Sequence, residues 1–210
     1  MSSLRNYSSC THRAFSLVEV LIALTITATL MTATLAALDS SFKAYKVTTE
    51  SASTNVVARM VVHRISTMVR NGTDFGPFPA DVLDPGQNPL VNQTFMEFRT
   101  AVDLVAGTAR VVRVERRAAT DPLQGPFELW YVESDINLTT GALVIIDQRP
   151  LLTGLTALSI TLQYDVGPRL MRATFDMTVR PNDFQDAGFD SNMQTPTIRL
   201  VTTMAPRRLQ

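Results

Sequence analysis

From Phe15 to Leu38 the chain reads FSLVEVLIALTITATLMTATLAAL, apolar or small on every side, with no Gly, no Pro and one ionisable group, Glu19. At about 1.5 Å per residue this stretch makes a helix of roughly 36 Å, longer than the roughly 30 Å hydrocarbon core of a bilayer. Apolarity all round the helix predicts a membrane-crossing segment. A carboxylate inside such a segment is costly, about 3 kcal/mol at a bilayer centre and less near a helix end. Glu19 therefore calls for a cationic partner.

Beyond Leu38 the pattern changes but the helix does not stop. No Gly or Pro occurs between Asp39 and Asn71, and Asn71-Gly72 is a helix-terminating pair. Phe42, Tyr45, Thr49, Ala52, Val56, Met60 and His63 recur at spacings of three and four, and Val57, Val61, Ile65 and Met68 widen the stripe. Arg59, Arg64 and Arg70 fall around the other face. The expectation is one helix from Phe15 to Arg70, about 84 Å long, whose second half turns its stripe to a sheet.

Residues 72–93 are rich in Pro and Gly and read as an irregular loop. Asp74, Asp81 and Asp84 lie in it without the ligand spacing of a known calcium loop, so Thr73–Asn92 is read as a solvated loop with no metal. From residue 94 onward polar and apolar positions alternate. Strands are expected at Thr94–Arg99, Ala109–Arg117, Phe127–Glu133, Ala142–Arg149, Ala157–Asp165, Leu170–Arg180 and Thr197–Met204. Val112 and Val114 face away from Arg113 and Glu115, and Leu158, Ile160, Leu162 and Tyr164 share one side. Period-two strands with short turns give an antiparallel sheet packed on the helix, an α+β fold. The expected divisions are 1–14, 15–38, 39–71, 72–93 and 94–210.

Charge and composition narrow the function. The formal net charge is zero, and without residues 1–14, which carry Arg5 and Arg13, it becomes −2. No basic footprint for a polyanion exists, so nucleic acid is not an expected partner. The basic end is expected to stay in the cytoplasm, with everything after Leu38 exported. Cys10 is the only cysteine, which leaves the rest of the chain without disulfides or thiolate metal sites. Ala33, Ala36 and Ala37 resemble a secretory cleavage site, the main alternative for processing.

Catalytic motifs are missing: no GxSxG, phosphate loop or HExxH occurs. His63 has no motif around it and reads as a helix-surface or interface residue. Trp130 and Tyr131 point to opposite faces of a strand, so they do not form one stacking platform. Glu133 and Asp135 share a face by spacing alone. No enzyme and no cofactor are expected.

A short basic leader followed by Phe15-Ser16-Leu17-Val18-Glu19-Val20-Leu21-Ile22-Ala23 resembles the processing motif of type IV prepilins and type II secretion pseudopilins. The resemblance implies cleavage between Ala14 and Phe15 by a prepilin peptidase, methylation of the new Phe15 amine, and pairing of that amine with Glu19 of an adjacent subunit. Ala14 stands where the family usually has Gly. Leu151 to Asp165, with Tyr164-Asp165 at its end, the following Leu170–Arg180 strand, and Thr197–Met204 with Pro206-Arg207-Arg208 resemble the J-type minor pseudopilins and the W-type minor pilins. The implied protein is a pilin-like structural subunit of a pseudopilus. It would sit in the bacterial inner membrane with a periplasmic sheet domain, near a filament tip among other pseudopilins. A minor pilin of a type IV pilus, or a membrane-anchored extracellular binding module, are the alternatives.

Overall fold

A computed structural model describes residues 16–121, 125–167, 169–180 and 197–207. The chain divides into two compact units, Met1–Lys46 and Val47–Gln210. Among the described residues, one helix, α1 (Leu17–Asn71), is followed by eight strands: β1 (Thr73–Gly76), β2 (Leu90–Gln93), β3 (Phe95–Asp103), β4 (Thr108–Ala118), β5 (Phe127–Asn137), β6 (Leu143–Asp165), β7 (Arg169–Val179) and β8 (Ile198–Met204). The strands form one antiparallel sheet in the order β1-β3-β4-β5-β6-β7-β8, with β2 paired to β6. A helix packed on an antiparallel sheet is the α+β arrangement expected from the sequence.

The described part of the first unit is the apolar stretch of α1, and its large side chains lie exposed. The second unit has a single core. Ala58, Val61, Ile65 and Val69 form the buried line of α1, at spacings of three, four and four, against Met96, Phe98, Val112, Val114, Leu155, Ile160 and Phe175 of the sheet. Each large apolar side chain taken out of water here contributes on the order of 1.5–3 kcal/mol.

The buried line is not the stripe read from the sequence. Val61 and Ile65 are buried as expected, but Phe42, Tyr45, Val56, Val57 and Met60 are exposed, and so are Thr49, Ala52 and His63. At about 100° per residue, Val56 and Met60 each lie roughly 160° around the helix from Ala58, so the stripe read from the sequence runs along a different face from the line that packs. The helix carries two apolar lines on different faces, and the sheet covers the one at Ala58, Val61, Ile65 and Val69.

Strand alternation follows the sequence closely. Val112 and Val114 are buried, as are Leu158, Ile160, Leu162 and Tyr164, then Ala173, Phe175, Met177 and Val179. Two expectations are corrected. The irregular loop over 72–93 contains β1 and β2, each four residues long. Their pairing is long-range, with Thr73 opposite Arg99 and Leu90 opposite Leu162, and neither is long enough to show alternation. The second correction joins Ala142–Arg149 and Ala157–Asp165 into one 23-residue strand. Pro150 to Gly154 reads as a break, yet the backbone bends there and continues. Gly154 adopts φ 74, a left-handed value that glycine takes without penalty, and register shifts flank it. The bend lets β6 change neighbours: Leu143 to Leu155 pairs with β5, and Leu155 to Asp165 with β7.

The 77–89 loop is tied to the far end of β6. The Asn88 side-chain amide donates to the Tyr164 carbonyl at 2.9 Å and accepts from the Tyr164 N–H at 3.0 Å. The Tyr164 hydroxyl donates to the Pro77 carbonyl at 2.8 Å, and burial pushes its pKa up. Asp81 accepts from the Leu83 N–H, and Asp84 from the Gly86 N–H and the Gln87 amide. Asp74 pairs with Arg99 at 2.8 Å. These carboxylates are engaged in turns and ion pairs within the loop and its neighbours.

Gly72 closes α1 where the chain turns into β1. A Cβ placed on it would sit 2.6 Å from Cδ2 of Phe98, a buried ring with little room to retreat. Gly72→Ala is expected to destabilise the second unit by about 1–3 kcal/mol, read as a lowered denaturation midpoint in detergent-solubilised protein.

At the other end of the sheet Arg199 forms a bidentate pair with Asp176, Nε to Oδ1 at 2.9 Å and Nη2 to Oδ2 at 2.6 Å. Hydrogen bonding from the Arg199 guanidinium holds the Asp176 carboxyl below the usual carboxylate range. A depressed carboxylate stabilises the fold above its unfolded pKa of about 3.9, and that contribution is lost as pH falls through the folded value. The pair is largely exposed, so the effect is small, at most about 1 kcal/mol. Asp176→Asn is expected to lower the melting temperature slightly at pH 7. The difference from the parent protein should vanish in melts at acid pH below the folded pKa.

Candidate assembly site

The N-terminal stretch of α1 begins with a capped turn. Ser16 precedes the helix, and its carbonyl accepts the Glu19 N–H at 2.9 Å and the Val20 N–H at 3.2 Å. Glu19 sits in the first turn with its side chain exposed. A negative charge here is favoured by the helix dipole, by about 0.3–1 kcal/mol. Among the described residues none forms an ion pair with Glu19. Ala14 and Phe15, the residues expected to flank the cleavage point, lie outside the described residues.

After Glu19 no ionisable group occurs until Asp39, which pairs with Lys43 one turn on at 2.8 Å. Between them stand five threonines, and each hydroxyl donates back to its own helix. Thr25 reaches the Ile22 carbonyl, Thr27 that of Ala23, Thr29 that of Ile26, Thr32 that of Ala28 and Thr34 that of Met31, all at 2.7–2.9 Å. Backbone and side-chain polar groups are thus satisfied within the segment, as a hydrocarbon environment demands. The helix is long and apolar enough to cross a membrane, and its most apolar stretch has no residue buried in the fold.

The arrangement is a lipid-compatible shaft with one carboxylate a turn from its start. Chemically it offers a single strong acceptor to a cation arriving at the same depth. Other residues singled out from the sequence take no part in it. His63 lies exposed on α1. Trp130 donates its indole N–H to Glu128 at 2.8 Å with the Arg117 guanidinium over its ring. Tyr131 points the other way into the core and donates to Glu133 at 2.9 Å. Glu133 and Asp135 share a face, and both bind Arg110.

Residues 10–35 match the prokaryotic N-terminal methylation motif. The match takes in the expected cleavage point, Glu19 and most of the apolar shaft. No curated protein and no solved structure matches the chain. The motif supports a structural subunit of pilin or pseudopilin kind, held in a membrane by one helix, processed by a prepilin peptidase and assembled with other such subunits.

Proposed function

We propose that the chain is a minor pseudopilin, a J-type structural subunit of the periplasmic pseudopilus of a type II secretion system. The observation that carries this reading is Glu19, an exposed acid with no ion-pair partner among the described residues, at the start of an apolar helix inside the methylation motif. Cleavage between Ala14 and Phe15 frees an α-amine, which at a pKa near 8 is cationic at neutral pH. In a bundle of such helices that amine and the Glu19 carboxylate of an adjacent subunit neutralise each other in low dielectric. The helix then anchors the subunit in the inner membrane with its N-terminus cytoplasmic, and the sheet domain faces the periplasm near the filament tip. Assembly, not catalysis, is the activity, and no cofactor takes part.

The minor-subunit reading is supported by the resemblance of Leu151–Asp165, Leu170–Arg180 and Thr197–Arg208 to the J-type minor pseudopilins. The same residues serve a minor pilin of a type IV pilus. The two differ in the machinery alongside, a secretin with a secretion ATPase against retraction ATPases.

The test is mass spectrometry of the N-terminus in cells with and without prepilin peptidase. The expected peptide begins at methylated Phe15 and disappears without the peptidase. A chain beginning near Ala37, cut as a secretory signal, would overturn the reading.

A further inference from the structure

A shallow hollow of about 260 Å³ lies between α1 and the first half of β6, lined by Met60, Val61, Arg64, Arg149, Pro150 and Leu151. Met60, Val61, Pro150 and Leu151 line it with apolar side chains, and its two charged side chains are both cations. The guanidinium carbons of Arg64 and Arg149 stand 5.9 Å and 5.3 Å from the centre of the Tyr131 ring. Neither charge is well neutralised. Arg149 has only a long contact to Asp147, at 3.6 Å. Arg64 forms no ion pair among the described residues and stands over the Tyr131 ring. The nearest acid on that ring, Glu133, is already bound to the Tyr131 hydroxyl and to Arg110.

On the α1 side the rim of the hollow is apolar: Met60 lines it, and Val56 and Val57, one turn before, are exposed. Over Leu143 to Leu152 that strand pairs with β5 on one edge only, among the described residues.

We infer that this hollow receives a carboxylate-bearing segment of a neighbouring subunit, an Asp or Glu flanked by apolar residues, held between Arg64 and Arg149. Charge decides the occupant. Two guanidinium groups over an aromatic face suit a planar carboxylate, and a basic segment would meet like charge. The apolar rim on α1 takes the apolar residues that flank the acid. The inference rests on the subunit reading for the source of the partner, and on Arg64, Arg149 and Tyr131 for its chemistry.

Met60 replaced by a photoreactive benzoylphenylalanine, in the full chain and in its native membrane, reads the contact directly. Mass spectrometry of the crosslinked peptide is expected to place the partner site within a few residues of an Asp or Glu, in a protein that carries the same N-terminal motif. Arg64→Glu with Arg149→Glu is expected to lower the yield roughly tenfold. Changing the partner's acid to Arg should restore it. Both substituted side chains lie at the surface, and an unchanged melting temperature checks that the fold survives. A yield indifferent to charge reversal would overturn the inference, as would a crosslink to residues 181–196 of the same chain or to a site without an acid. Methylated Phe15 alongside an indifferent yield sinks this inference alone, whereas an uncut leader sinks the subunit reading first.

Discussion

Glu19→Ala is expected to leave a chain that still inserts in the membrane and is still cut before Phe15, but no longer enters a polymer. If the carboxylate pairs with the α-amine of an adjacent subunit, its removal strands a cation in low dielectric. Breaking such a pair by deleting one partner costs about 3–5 kcal/mol, a loss of incorporation of at least roughly a hundredfold. Insertion itself should improve slightly, since the apolar shaft sheds its only charge. Crosslinking of the processed subunit to its neighbours, compared with total membrane-bound protein, separates the two effects. Glu19→Gln keeps the shape and removes the charge, and is expected to behave like Ala. Full incorporation of either variant would show that the acid has no such role.

The second large effect is expected at Ile65, which is fully buried between α1 and the sheet. Ile65→Asp removes its packing and buries an unpaired carboxylate, a combination expected to exceed about 4 kcal/mol. The second unit should then fail to fold, seen as loss of cooperative melting and rapid proteolysis after Val47. Val57→Asp, at an exposed position of the same helix, is expected to change stability by no more than about 0.5 kcal/mol. The contrast tests which line the sheet covers. Equal effects at the two positions would contradict the packing.

That contrast also marks how far the sequence was legible. The apolar shaft and its lone acid are plain in the sequence, because the near absence of charge over 15–38 has few physical explanations. The alternation of β4, of the second half of β6 and of β7 is equally plain, since each of these stretches is long and has one face buried. The helix face is harder. Two apolar lines run along different faces of α1, and only the sheet, assembled from residues far along the chain, selects Ala58, Val61, Ile65 and Val69. β1 and β2 escape for the same reason, being short segments whose partners lie some 20 to 70 residues away. Pro150 to Gly154 has the composition of a stop, and its role as a bend depends on β5 ending and β7 beginning beside it. Glu19 stands out locally by motif. The hollow at Arg64 and Arg149 does not, because a helix residue and a strand residue so distant in sequence meet only in the folded sheet.

The five threonines of the shaft have a mechanical consequence. With their hydroxyls turned back onto carbonyls of the same helix, they present methyl groups outward. Between shafts of this kind only dispersion contacts remain, and those change little as one rod glides along another. Axial position in a bundle would then be keyed by one tooth, the acid near the tip. If Glu19 has that role, a bundle of such shafts would resist sliding under load mainly at that one point.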